Sequence, residues 1–325
     1  MFAHLHCHSH YTLLESPLTP GALVAAAVEA GMPGVALTDR GNLFGAFEFH
    51  QAARKAGITG IIGCQVNVAP LGLHERTPDM LQLVLLAQSV RGYHNLCELV
   101  SRGWLDGFYY EPRVDLDCIA RHAEDLVCLT GAGGDGFLNR HLVVGAEEEA
   151  DRQAGLLREI FGQRLFVELT DHGAEGPGST RGQAVALARR LDLPLVASNW
   201  VHYLGEEQAY VHDVQLAVQK ATTLADSRRK RMPSNEFYFK SQEQMAALFA
   251  EVPEAIANTA RIVEMCADSG IPTGSYHLPS FTCPADLDVD AFRAELDEEE
   301  YRARYVIDFR GEERHLAPEE LADKL

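Results

Sequence analysis

The sequence predicts an α/β protein whose strands close into a seven-stranded β/α barrel. Over roughly the first two hundred residues, short β-branched or apolar runs alternate with alanine-rich amphipathic runs. The strand runs are almost continuously apolar, as in a parallel sheet covered by helices on its outer face. About seven such units fit a barrel better than an open sheet, and polar residues gather where the strands end, which is where barrels carry their chemistry.

In chain order, strands are expected over residues 3–6, 34–38, 60–68, 81–87, 126–130, 165–169 and 195–197. The first helix follows Thr19, a residue type that caps helices, with Pro20 at its first position and Gly31 at its end. Further helices are expected near 45–56, 90–103, 147–161, 181–191 and 206–220. From Met232 the texture changes: residues 236–240 are short and aromatic, and 241–249 and 254–268 read as helices with Ser241 and Pro253 as start signals. Beyond Pro279 the chain turns acidic, with five carboxylates in the six residues 295–300, a pattern typical of a solvated helix face.

Histidines stand at positions 4, 6, 8 and 10. Alternate residues of an extended strand point to one side, so an H-x-H pair at a strand end aims two imidazoles at one point, as a first-row metal requires. Asp39, Arg40, Asn199 and His202 fall at other strand ends. The 325 residues suffice for one large domain or two ordinary ones, and the apolar fraction of 46% is that of a globular protein. A net charge of −19 argues against broad nucleic-acid binding, because neutralising phosphates needs an excess of lysine and arginine. Arg228-Arg229-Lys230-Arg231 is the one dense basic run and reads as a solvated loop. The seven cysteines are scattered without a C-x-x-C, which fits reduced thiols. With no leader ahead of the histidines and no apolar run of membrane-spanning length, the expected location is cytoplasmic, with no membrane association.

Several stretches in order then carry a resemblance: His4-Leu5-His6-Cys7-His8-Ser9, Thr38-Asp39-Arg40-Gly41-Asn42-Leu43-Phe44-Gly45, Ile61-Ile62-Gly63-Cys64-Gln65, Gly107-Phe108-Tyr109-Tyr110, Glu168-Leu169-Thr170-Asp171-His172-Gly173, Asn199-Trp200-Val201-His202 and Asn235-Glu236-Phe237-Tyr238-Phe239-Lys240. Together they resemble the N-terminal polymerase-and-histidinol-phosphatase (PHP) domain of bacterial DNA polymerase III alpha subunits, over residues 1–283. The resemblance implies a distorted seven-stranded barrel of PHP type (core about 1–205) with a C-terminal helical extension (about 206–283). Residues 284–325 would then be an acidic tail, the remnant of a junction to a missing palm. Asp286-Leu287-Asp288-Val289-Asp290 looks like a palm metal motif, but it falls at that junction with too little sequence after it for palm, fingers and thumb.

Active members of the family hydrolyse phosphoesters with clustered metal ions, which bind phosphate oxygens and lower the pKa of an attacking water. Carried over, the resemblance places metal ligands at His6, His8, Glu15 and His202. Of about nine ligand positions, five depart: Arg40 for a histidine, Gln65 for a bridging glutamate, Gln82 for a histidine, Ala132 for a cysteine or histidine, and Trp200 for an aspartate. Arg40 cannot deprotonate and repels a cation. Gln65 and Gln82 offer only neutral amide oxygens, Ala132 offers nothing, and Trp200 offers bulk and an N–H donor. Arg40 can pair with Glu15 or Asp39. The changes together describe a site stabilised without metal, with at most a single weakly held zinc or manganese as cofactor.

The expected function is a non-catalytic scaffold or interaction module in replication or repair, with other polymerase or repair subunits as partners and only weak or indirect nucleic-acid contact. The alternatives are a reduced-metal phosphoesterase or 3′–5′ exonuclease using the four remaining ligands, and the N-terminal part of a split polymerase.

Overall fold

A computed structural model describes residues 1–77, 79–173, 180–229 and 231–273. All lie in one compact unit, Met1–Thr273. The strands are β1 (Gly34–Leu37), β2 (Thr59–Val68), β3 (Leu81–Ala87), β4 (Arg113–Val114), β5 (Leu126–Leu129), β6 (Leu165–Thr170) and β7 (Leu195–Ser198). The helices are α1 (Pro20–Glu29), α2 (Ala46–Ala56), α3 (Val90–Leu105), α4 (Leu116–Arg121), α5 (Asn139–Val143), α6 (Glu147–Phe161), α7 (Arg181–Arg190), α8 (Ala209–Gln219), α9 (Gln242–Leu248) and α10 (Pro253–Met265). The Thr19 side chain caps α1 by accepting from Ala22 N–H, and α2 stops at Gly57, whose φ of +73° suits glycine.

The strands form one curled seven-stranded sheet of order β1-β2-β3-β5-β6-β7, with β4 also paired to β2. Its membership differs from the expectation. Residues 3–6 form no strand; their segment contributes a single bridge, Cys7 to Val201. The seventh place is taken by β4, a two-residue strand without a sequence signal. The sheet is also mixed rather than parallel, because β3 runs antiparallel to both β2 and β5. The N-terminal segment nevertheless closes the curl. Its His4 and Cys7 carbonyls accept from Ala36 and Thr38 N–H on one side, while on the other Val201 N–H donates to His6 and His8 N–H donates to Val201.

Alternation along the strands divides the core into two layers. Outward residues such as Val35, Leu37, Val66, Leu85, Val167 and Ala197 pack under the helices. Inward residues Ala36, Ile61, Val84, Val127, Phe166 and Val196 join Ala3 and Leu5, and Ile262 and Val263 of α10, with Cys266 just past its end, plug that end of the barrel. Thr259 of α10 accepts from Ala3 N–H at 3.1 Å, and Asn258 donates to the Leu195 carbonyl at 2.8 Å. The helical extension therefore closes one mouth and leaves polar side chains to gather at the other.

The expected boundary at 283, the acidic tail 284–325 and the motif at 286–290 lie outside the described residues. Among the described residues no helix is long and apolar enough to cross a membrane.

Candidate functional site

The same inward-facing positions turn from apolar to polar at the open mouth. Two residues on from Phe166 stands Glu168; two on from Val196, Ser198; two on from Ala36, Thr38; and in antiparallel β3 the residue two before Val84 is Gln82. All are buried. Period-2 geometry thus delivers Gln65, Gln82 and Glu168 to one rim, together with His6 and His8 from the N-terminal segment and Trp200 and His202 from the turn after β7.

The histidines do converge. The ring centroids of His6 and His8 lie 5.3 Å apart, and His8 stacks on His202 at 4.7 Å. His4 faces elsewhere, with Nε2 2.9 Å from the Lys240 carbonyl, and His10 is only part-buried beside Tyr11.

Each donor atom is then accounted for. His6 Nδ1 lies 2.8 Å from Glu168 Oε1 and its Nε2 2.9 Å from the Gln65 side-chain amide, so both ring nitrogens are engaged. The Trp200 indole N–H donates to His8 Nε2 at 3.0 Å. His8 Nδ1–H therefore donates to Thr12 Oγ1 (3.0 Å), and the Thr12 hydroxyl donates to Asp39 Oδ1 (2.7 Å), giving a continuous relay with one direction. Burial, reinforced by nearby His202, His6 and Arg40, holds His8 well below the usual imidazole range. Burial and neighbouring His212 do the same for His202.

Glu15 meets Arg40 Nη2 at 2.9 Å and accepts from Gln219 Nε2 at 2.7 Å. Of the two partners considered for Arg40, Glu15 is the one in contact. Asp39 instead accepts from Ser9 N–H (2.6 Å), the Ser9 hydroxyl (2.8 Å) and Thr12. Burial raises the Asp39 carboxyl above its usual range.

Gln82 enters through the backbone, and Ala132 is buried without a donor side chain. Phe137 N–H donates to the Gln82 carbonyl and Gln82 N–H to Asp135. Gly131, at φ +84°, passes so close that a Cβ there would lie 2.1 Å from the Gln82 carbonyl oxygen. Gly133 backs the Trp200 ring, which a Cβ would meet at 3.1 Å. Trp200 itself sits at φ +46°, a left-handed conformation uncommon for a bulky residue and frequent at functional sites.

Glu168 was not singled out in the sequence, yet it is central: it is fully buried, it meets His6, and it accepts from the Ser198 hydroxyl. The available signal was a lone carboxylate in the apolar run Leu165–Leu169. Thr12, Ser198 and Gln219 carried no comparable signal. His172 is structural: its Nε2 lies 3.0 Å from the Asn199 carbonyl and its ring stacks on Phe237. The basic run differs from a solvated loop, because Arg229 is buried against Asp213 on α8 while Arg228 remains exposed. Lys230 lies outside the described residues.

A zinc or manganese ion needs about three or four protein ligands with free lone pairs. Both His6 ring nitrogens are held against oxygens, of Glu168 and of the Gln65 side chain, the His8 Nε2 lone pair is taken by Trp200, and both Glu15 oxygens are engaged. Of the three rim histidines only His202 has a ring nitrogen without a contact: Nδ1–H donates to the Glu15 carbonyl (2.8 Å), leaving Nε2 buried without a partner. Among the described residues no group of three or more His, Cys, Asp or Glu is placed to hold a metal ion. The donors as arranged do not fit the metal cluster that the family resemblance implies.

A curled sheet is thus plugged by a helix at one end and carries a histidine-lined rim at the other. The PHP domain family matches residues 4–172, and the chain belongs to that family. It is 38% identical over 292 residues to the DNA polymerase III subunit alpha of Treponema pallidum, covering 88% of this chain and 25% of that protein. The corresponding subunit of Borreliella burgdorferi is 36% identical over 291 residues, covering 88% and 25%. That of Thermus aquaticus is 36% identical over 297 residues, covering 87% and 24%. The chain thus spans about a quarter of the length of these relatives.

Proposed function

We propose that this chain is a PHP module of the DNA polymerase III alpha type that works in replication as a scaffold, its barrel mouth sealed by its own side chains instead of metal ions. The observation that carries the reading is the Trp200 indole N–H on His8 Nε2 at 3.0 Å, which occupies the lone pair a metal would need. Arg40 supplies a fixed positive charge against Glu15, and Gln65 offers His6 a neutral amide, so the rim carboxylates are balanced without a divalent ion. Such a module would hold other parts of a polymerase, on the same polypeptide or as separate subunits, in position.

The test is restoration. A variant carrying Arg40→His, Gln65→Glu, Gln82→His, Ala132→Cys and Trp200→Asp should gain zinc or manganese binding that the parent lacks, read by isothermal titration. If that variant folds and stays metal-free, the assignment of the positions is wrong.

A second reading has one observation in its favour. The buried, partnerless Nε2 of His202 could anchor a single ion if the Trp200 side chain swung aside, giving a reduced-metal phosphoesterase. It requires phosphoester hydrolysis that chelator abolishes and His202→Ala removes.

A further inference from the structure

α8 is held differently from the helices that cover the sheet. α6 buries Ala150, Ala154, Leu157 and Phe161, an apolar stripe at helical spacing. Of the eleven residues of α8 only His212 and Ala217 are buried, while Tyr210, Val211 and Val218 are exposed. Helices in proteins owe most of their stability to the packing of an apolar face, and α8 has little of it.

Its inner side borders space. Residues 212, 216 and 219 fall on one side of a helix. His212, Leu216 and Gln219 share a cavity of about 210 Å³ with Arg40, Trp200 and His202 of the rim. His212 and Leu216 also border a second cavity, of about 780 Å³, shared with Tyr203, Met232 and Pro233. Cavities rather than core run along this side of the helix.

What fastens α8 to the barrel is mostly polar. Gln219 Nε2 donates to Glu15 Oε1 at 2.7 Å, and the other Glu15 oxygen meets Arg40. Midway along the helix, the His212 ring stacks on His202 with centroids 4.8 Å apart, and His202 stacks in turn on His8. Asp213 pairs with Arg229, which follows α8 in the same excursion of the chain and does not belong to the barrel.

The ends of the helix suit a hinge. The chain leaves the barrel at Tyr203, whose carbonyl accepts from Phe239 N–H at 2.8 Å and which is bridged to Tyr238. Gly205 and the short turn Glu206–Gln208 follow. Beyond α8, Ala221 takes φ +50°, a left-handed conformation that a residue with a Cβ adopts at a cost. Hinges are a few residues at element ends that absorb a change in backbone angles.

We propose that α8 is a hinged flap over the histidine rim, latched by the Gln219–Glu15 hydrogen bond and the His212–His202 stack, and that its opening controls the access of solutes to the rim. With the flap closed, His8 is 0% and His202 2% exposed. The inference does not depend on how the charges of the rim are balanced.

Peptide-resolved hydrogen–deuterium exchange on the full chain tests the flap. Acrylamide quenching of Trp200, in a Trp104→Phe background that removes the other tryptophan, reads access to the rim. Amides of 209–219 should exchange about tenfold or more faster than those of α6. Gln219→Glu sets a carboxylate against Glu15; it should speed exchange in α8 by about fivefold or more and raise the quenching of Trp200, with α6 unchanged. Val218→Thr, on the exposed side of the helix, should match the parent in both measurements. If Gln219→Glu does not fold, Gln219→Leu, which only deletes the donor, should show both changes. Protection of α8 equal to that of α6, exchange that rises across the whole chain in the Gln219 variant, or faster exchange in α8 without added quenching would each overturn the proposal.

Discussion

The indole N–H of Trp200 reaches Nε2 of His8 at 3.0 Å, between residues 192 positions apart, and fixes the direction of the relay that runs on through Thr12 to Asp39. A histidine accepting on Nε2 must donate from Nδ1, so one side chain both orients the ring and occupies its metal-facing atom. Trp200→Phe keeps the ring and deletes the donor. The variant should lose about 1–2 kcal/mol, the penalty for leaving a buried acceptor unpaired, measured by urea unfolding.

The Arg40–Glu15 pair is mostly shielded, with 20% and 12% of the two side chains exposed. Arg40→Ala leaves a carboxylate held only by Gln219. We expect a loss of about 2 kcal/mol, larger than for the exposed pair of Arg102 with Glu98, whose disruption should change stability by under about 1 kcal/mol. Comparing the urea midpoints of the two variants checks the ranking.

Glu168 is the buried counterpart of His6 and Ser198. Glu168→Ala strands both partners and should destabilise by about 3 kcal/mol, whereas Glu168→Gln keeps an acceptor and should lose about 1 kcal/mol. Equal losses would mean that the side chain acts by filling space alone.

Acid should destabilise the domain through its buried neutral histidines. Burial pushes His4 and His172 down to about 4 and holds His8 and His202 well below the usual range. The unfolded chain takes up these protons near pH 6.5 while the folded chain excludes them, so stability is complete above about 6.5 and falls as pH drops toward 4. Asp39, raised by burial, acts in the opposite sense but is one group against four. His4 and His172 alone imply a loss of roughly 4 kcal/mol at pH 5 relative to neutral pH. Urea unfolding at the two pH values measures it; a flat or rising profile would contradict the burial of neutral imidazoles.

What could be read in advance follows from the range of the interaction involved. The span Glu147–Phe161 is recognisable as α6 because its apolar residues recur at helical spacing, and Leu81–Ala87 as β3 because it is short and continuously apolar. Period-2 spacing anticipates the His6–His8 convergence but not the departure of His4, which lies against the Lys240 carbonyl. The antiparallel course of β3 is set by pairing partners and leaves no local trace, and β4 is two residues long and defined by its pairing with β2. At the site, Trp200 is visible as a departure from a ligand pattern, but its bond to His8 depends on a left-handed backbone that no sequence rule assigns to tryptophan. Glu168 is legible only as a lone carboxylate in an apolar run, because its partners His6 and Ser198 come from segments 162 and 30 residues away.

The central claim is that the rim holds itself together with its own donors and acceptors. Elemental analysis of the full chain purified without chelator tests it most directly. The account predicts zinc and manganese far below one equivalent per chain, unchanged by His6→Ala. One or more equivalents of either metal, lost on His6→Ala, would contradict it.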